Sequence, residues 1–140
     1  MKFMYRYTRV RVWLYRKFFS NIRKLKFTGK ILQATQFIGT GEIFAQNVEL
    51  GVFPSPYFTN GVGYIEARNT TAKIEILDNT FINNNFVMIA DRTKITIGRR
   101  CLIGTNFFVT DSDFHGLAIN NRTNGNYECL PVEIGDDVFI

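Results

Sequence analysis

Ile95-Thr96-Ile97-Gly98 is followed by Ile103-Gly104 and Val109, so an apolar residue recurs every six positions, twice with glycine directly after it. Upstream, Ile76, Ile82 and Met88 keep the same step; downstream, Ile134-Gly135 and Ile140 return to it. Six is neither the 3.6-residue period of a helix nor the simple alternation of a strand. It predicts a hexapeptide solenoid, an all-β fold in which each unit supplies one short strand and one corner. The apolar phase points inward and stacks from turn to turn, while glycine or a small polar residue takes the tight corner.

Leu32, Ile38-Gly39, Phe44 and Leu50-Gly51 form an earlier block with the same step. Between Val52 and Lys73 the phase breaks, and Pro54, Pro56, Gly61 and Gly63 punctuate what reads as an irregular coil of the solenoid or a loop. A slip of three residues at Ala90 to Lys94 reads as a lengthened corner. Residues 111–131 are polar, rich in Asn and Gly, and end in Pro131, as expected of a loop thrown out from a corner. The chain stops at Ile140 in mid-repeat with no capping segment. That predicts a repeat domain over 31–140 that is truncated at its C-terminal end, or whose open end another molecule covers.

Charge is divided unevenly. Residues 1–30 carry ten Lys or Arg and no acid, the first acid being Glu42; the other 110 residues carry seven basic and twelve acidic side chains. Leu14, Phe18, Ile22 and Leu25 share one face of a helix with Arg16, Lys17, Arg23 and Lys24 off it, which predicts a basic amphipathic arm over 1–30. Arg9-Val10-Arg11-Val12 alternates instead, so the first dozen residues fit either helix or strand. Such an arm suits contact with an anionic membrane surface, or serves as a cap over the first repeat. No recognised nucleic-acid module accompanies it, so nucleic acid is not an expected partner. Cys101 and Cys129 form no metal-spaced pair, and no secretion signal or membrane-length apolar run is visible. These features predict a cytoplasmic protein, peripheral at the inner face of the membrane.

Asp111-Ser112-Asp113-Phe114-His115 opens the 111–131 loop with the only histidine of the chain. An imidazole titrates near neutrality and suits general-base work once its tautomer is fixed, here by Asp113, Asp111 or a backbone carbonyl. This phrase, with Phe81-Ile82-Asn83-Asn84-Asn85, Ile95-Thr96-Ile97-Gly98, Gly125-Asn126-Tyr127 and Pro131 to Ile140, resembles the hexapeptide-repeat O-acetyltransferases over residues 74–140. The likeness is to their galactoside/maltose acetyltransferase branch and its relatives in surface-polysaccharide synthesis.

That resemblance implies a left-handed parallel β-helix, a homotrimer, acetyl-CoA as co-substrate and a saccharide hydroxyl as acceptor, with no metal. It implies that His115 takes the proton of the attacking hydroxyl, and that Asn84 contacts the acceptor or the developing tetrahedral centre. Phe139 would line the pocket, with Asp113 and Asp111 near the substrate. The family's small N-terminal helical domain is not matched; the basic arm stands in its place. Two other functions compete. A zinc hydro-lyase needs three histidines and the chain has one. A non-catalytic scaffold that self-assembles through an open end needs none.

Overall fold

The computed structural model describes residues 2–140, and its architecture is α/β: two parallel sheets and one helix. Helix α1 (Lys2–Phe18) is followed by β1 (Lys24–Ile31), β2 (Thr35–Gly39), β3 (Glu42–Leu50) and β4 (Gly63–Ala67). Then come β5 (Lys73–Ile76), β6 (Phe81–Ile82), β7 (Val87–Ala90), β8 (Lys94–Ile97), β9 (Leu102–Ile103), β10 (Phe108–Thr110) and β11 (Val132–Ile134). The smaller sheet runs β10-β7-β4-β2; the larger runs β11-β8-β5-β3-β6-β9, with β1 paired to β3 beside that path.

This corrects the expected all-β solenoid, the left-handed β-helix. The cause lies in β3, a single strand nine residues long. Its first half pairs with β5 (Ile43 opposite Ile74) and its second with β6 (Leu50 opposite Ile82). A corner was expected between those halves. The strand instead continues through it, and what would be two separate faces join in one sheet bent into a half-barrel. A six-residue spacing identifies positions that face inward; it does not say how the strands they belong to are gathered.

Inward positions were well marked in the later repeats. Ile76, Ile82, Met88, Ile97 and Ile103 are all buried, with Val109 and Ile134 packed against the same core. In the first block Leu50 is buried as expected, but at the three earlier positions the phase is displaced by one residue. Leu32, Ile38 and Phe44 are half-buried, while Phe37, Ile43 and Ala45 are the core residues. Because strand side chains alternate, a one-residue slip exchanges the two faces. Of the two readings of 52–73, an irregular coil or a loop, the first is nearer: the stretch contains β4, whose Ile65 is fully buried opposite Phe37 and Met88.

Turns are made by residues that tolerate left-handed backbone. Asn47 (φ 51°) and Asn79 (φ 60°) stack, Asn47 Nδ2 donating to Asn79 Oδ1 at 2.7 Å. Asn85 (φ 63°) and Asn106 (φ 61°) make the same pair at 2.7 Å. Asparagine is among the few residues that enter this region at small cost. Gly39 (φ 109°) is required outright, since a Cβ there would collide with the carbonyl of Ala67.

The basic segment is half helix and half strand. The helix begins near the N-terminus and stops at Phe18, not near Leu25, because Ser20 Oγ donates to the carbonyl of Tyr15 at 2.8 Å and closes the last turn. Asn21 and Ile22 then donate their N–H groups to Phe37, and β1 joins the larger sheet. Pairing with β3 overrides the helical spacing of Ile22 and Leu25. No helix among the described residues is long and apolar enough to cross a membrane.

Candidate functional site

Three neighbouring strands of the smaller sheet end side by side, and the residue types that follow them are polar: Arg68 and Asn69 after β4, Asp91 and Arg92 after β7, Asp111 and Ser112 after β10. From the last of these the 111–131 loop departs. Its stems are tied by Leu130 N–H donating to the Asp111 carbonyl at 2.8 Å and by an antiparallel bridge between Ser112 and Cys129.

Asp111 is 4 % exposed, and its carboxylate is consumed by the turn beneath it. Oδ1 accepts from Asp91 N–H at 2.7 Å; Oδ2 accepts from Arg92 N–H at 3.1 Å, Thr93 N–H at 2.8 Å and the Thr93 hydroxyl at 2.9 Å. Burial works to raise this carboxyl, but the three backbone donors and the hydroxyl outweigh it and hold it below the usual range. A carboxylate so engaged is a bracket for the loop. Its side-chain hydrogen bonds all go to residues 91–93 and none to His115.

Asp91 is 1 % exposed and was not anticipated. Asn69 Nδ2 donates to its Oδ1 at 3.0 Å, while the Tyr127 hydroxyl donates to Oδ2 at 3.0 Å and the Cys129 thiol approaches Oδ2 at 3.5 Å. Arg92 Nε lies 3.2 Å from Oδ2. Burial and the hydrogen bond to Asp91 raise the Tyr127 phenol. Burial, then the charges of Asp111 and Asp91, raise the Cys129 thiol, so it stays protonated at neutral pH and acts as a donor, not a nucleophile.

Two arginines grip the loop from outside. The Arg68 guanidinium forks onto Glu66 at 2.9 and 3.2 Å and lies 4.7 Å from the ring centre of Phe114. Arg92 lies 4.4 Å from the ring centre of Tyr127. The grip on Phe114 fixes the backbone next to His115. The slip in the repeat at Ala90 to Lys94 was the one signal in the sequence that this corner is special.

His115 is exposed on the loop, and its Nδ1 lies 3.1 Å from the carbonyl of Gly116. A carbonyl only accepts, so this hydrogen bond requires the proton on Nδ1 and leaves Nε2 of the neutral ring with a free lone pair. Beside it is a cavity of about 250 Å³ lined by Asp113, His115, Asn121, Asn126, Tyr127 and Glu128. Asp113 and Glu128 also border a second cavity of about 300 Å³, with Thr110, Asp111, Ser112 and Val132. Ser112 Oγ is buried and has no hydrogen-bond partner among the described residues. No three His, Cys, Asp or Glu side chains of the described residues converge to hold a metal ion.

The remaining expected residues are elsewhere. Asn84 is fully buried at the other end of the smaller sheet, where Oδ1 accepts from Val52 N–H at 3.1 Å and Nδ2 donates to the carbonyls of Val52 at 3.0 Å and Pro56 at 2.8 Å. Both donor hydrogens are spent on holding the 51–61 segment, so this amide has none to offer an acceptor sugar. Phe139 is 81 % exposed, bridges to Leu102 at the rim of the larger sheet, and does not line the His115 cavity. Within the chain, only Asp113 shares that cavity with His115 among the expected residues. No family model, no curated protein and no solved structure matches the chain.

Proposed function

We propose that the protein transfers an acetyl group from acetyl-CoA to a saccharide hydroxyl, in surface-polysaccharide synthesis, with His115 as general base. The observation that carries this reading is the contact between His115 Nδ1 and the Gly116 carbonyl, which in the neutral ring makes Nε2 the acceptor, on a side chain that lines a cavity rimmed by amide, carboxylate and phenol groups. Such a rim suits a polyhydroxyl ligand, which needs several donors and acceptors in a small space. The reading rests on the loop and on the resemblance of its sequence, not on the fold.

In the reaction, Nε2 takes the proton of the sugar hydroxyl as that oxygen attacks the thioester carbonyl. A tetrahedral centre forms and collapses with cleavage of the C–S bond, and the leaving thiolate of CoA takes from the imidazolium the proton that the hydroxyl gave up, which regenerates the neutral ring. Asp113 and Glu128 orient the acceptor by accepting from its other hydroxyls. Asn84 plays no part in this scheme. The protein acts as a homotrimer and needs no metal.

The test is transfer of labelled acetyl from acetyl-CoA to a panel of saccharides. Replacing His115 by Ala is expected to lower kcat/KM by about 10²–10⁴-fold with the fold intact. Equal, background-level transfer by both proteins would leave the second reading, a self-assembling scaffold. One observation favours that alternative. Phe81, Leu102 and Phe139 stand in register on adjacent strands, 42, 52 and 81 % exposed, and form an uncovered apolar ladder.

A further inference from the structure

Helix α1 has one face that is covered and one that is not. Met4, Thr8, Val12 and Tyr15 are buried or half-buried, and the Arg11 guanidinium donates to the carbonyls of Thr59 and Gly61. On the opposite side Phe3, Arg6, Val10, Trp13 and Lys17 follow one another at steps of three and four, a continuous helical stripe. Phe3 is 83 %, Val10 55 % and Trp13 53 % exposed, and Phe18 and Phe19 extend the apolar surface past the end of the helix. Arg6 and Arg9 flank Val10 and Trp13 in an open groove, and the Lys17 ammonium lies 5.0 Å from the Trp13 ring.

The helix itself carries no acid, the first in the chain being Glu42, and none lines the groove at Arg6, Arg9, Val10 and Trp13. Ion pairs of the described residues engage Lys24 and Lys30 with Glu42 and Glu49, but none engages Arg6, Arg9 or Lys17. Aromatic and aliphatic side chains set among unpaired cations match one surface well: a bilayer with anionic headgroups, whose phosphates meet the cations while the rings enter the interface. A nucleic acid would satisfy the charge and leave Phe3, Val10 and Phe18 in water. The helix is too short and too charged to span the bilayer, so it lies on it.

We propose that the outer face of α1 docks the protein flat on an anionic membrane, Arg6, Arg9 and Lys17 contacting lipid phosphates and Phe3, Val10 and Trp13 entering the interfacial layer. The inference is independent of acyl transfer. Trp13 is the only tryptophan of the chain, so its emission reports on this helix alone.

The test uses the full chain with vesicles of phosphatidylcholine alone or mixed with phosphatidylglycerol. Co-sedimentation with the mixed vesicles, a blue shift of Trp13 emission and loss of binding at high salt are the expected results. The variant Arg6→Gln/Arg9→Gln/Lys17→Gln should lower partitioning by about a hundredfold, since each cation near an anionic surface strengthens binding by roughly fivefold. The same charge removed from the larger sheet and the turn after β8, by Lys73→Gln/Lys94→Gln/Arg99→Gln, should change it by less than about threefold. Circular dichroism confirms that each variant is folded. Unshifted Trp13 emission, equal binding to neutral vesicles, or equal losses in the two triple variants would overturn the proposal. Binding to a nucleic-acid duplex without binding to vesicles would overturn it too.

Discussion

The two ends of the smaller sheet solve one problem with different chemistry. At one end the 51–61 segment is held by neutral amides: Asn84 clamps Val52 and Pro56, and Gln33, also fully buried, donates to the Tyr57 carbonyl at 2.8 Å and accepts from Asn85 N–H at 2.7 Å. At the other end the 111–131 loop is held by buried carboxylates, Asp91 and Asp111, with Arg68 and Arg92 outside. Neutral amides can be interred without a counter-charge, and their hydrogen bonds do not depend on pH. Carboxylates hold more tightly to backbone N–H groups, but only while ionised. The segment with no expected chemistry is fixed permanently, and the segment that carries His115 is fixed by charge.

The largest effect that would sharpen this contrast is at Asn84. Asn84→Ala leaves the N–H and carbonyl of Val52 and the carbonyl of Pro56 without their partner in a buried site, at a cost of about 3–4 kcal/mol. Urea unfolding should show that loss, constant to within about 1 kcal/mol, at any pH from 3 to 8, because no titrating group is involved.

Asp111→Asn should cost somewhat less, about 2–3 kcal/mol near neutrality, as an amide nitrogen comes to face backbone donors. Its pH dependence is the sharper test. The folded-state carboxyl is held below its usual range, so its contribution is complete above the unfolded value and disappears as pH falls through the folded one. The gap between wild type and Asp111→Asn should be level above about pH 5 and narrow below about pH 4. A gap that persists undiminished into acid would break the comparison.

Smallest is Tyr127→Phe, which deletes one donor to Asp91 and should cost about 1 kcal/mol. Hydrogen exchange should locate the change: faster exchange of amides in 111–131, with those of 51–61 as protected as before. Equal loosening of both segments would mean that the two ends are not independently secured.

The legibility of the chain follows the same division. Ile76, Ile82, Met88, Ile97 and Ile103 were readable as core because one apolar phase repeats without interruption. Gathering into two sheets was not readable, because it turns on β3 continuing as one strand past the bend at Asn47, a matter of backbone path that side-chain spacing does not encode. The loop at 111–131 and its histidine were visible from composition. Asp91 was not, because a lone Asp at an irregular corner reads as a solvated turn until its neighbours from β4 and β10 are placed beside it. The placement of Asn84 was not readable for a related reason: a buried clamp and a ligand-binding amide have the same letter, and only its burial and its bonds to Val52 and Pro56 separate them.

Strand β1 pairs on one side only, with β3, and so leaves a row of backbone donors and acceptors free. Lys24, Lys26 and Lys30 line that strand, all exposed. An incoming strand from a second chain would bring its own lysines against these, in parallel or reversed, and would have to strip water from each ammonium. The row thus acts as a gatekeeper against fibrous growth, keeping an unfinished sheet from becoming a template.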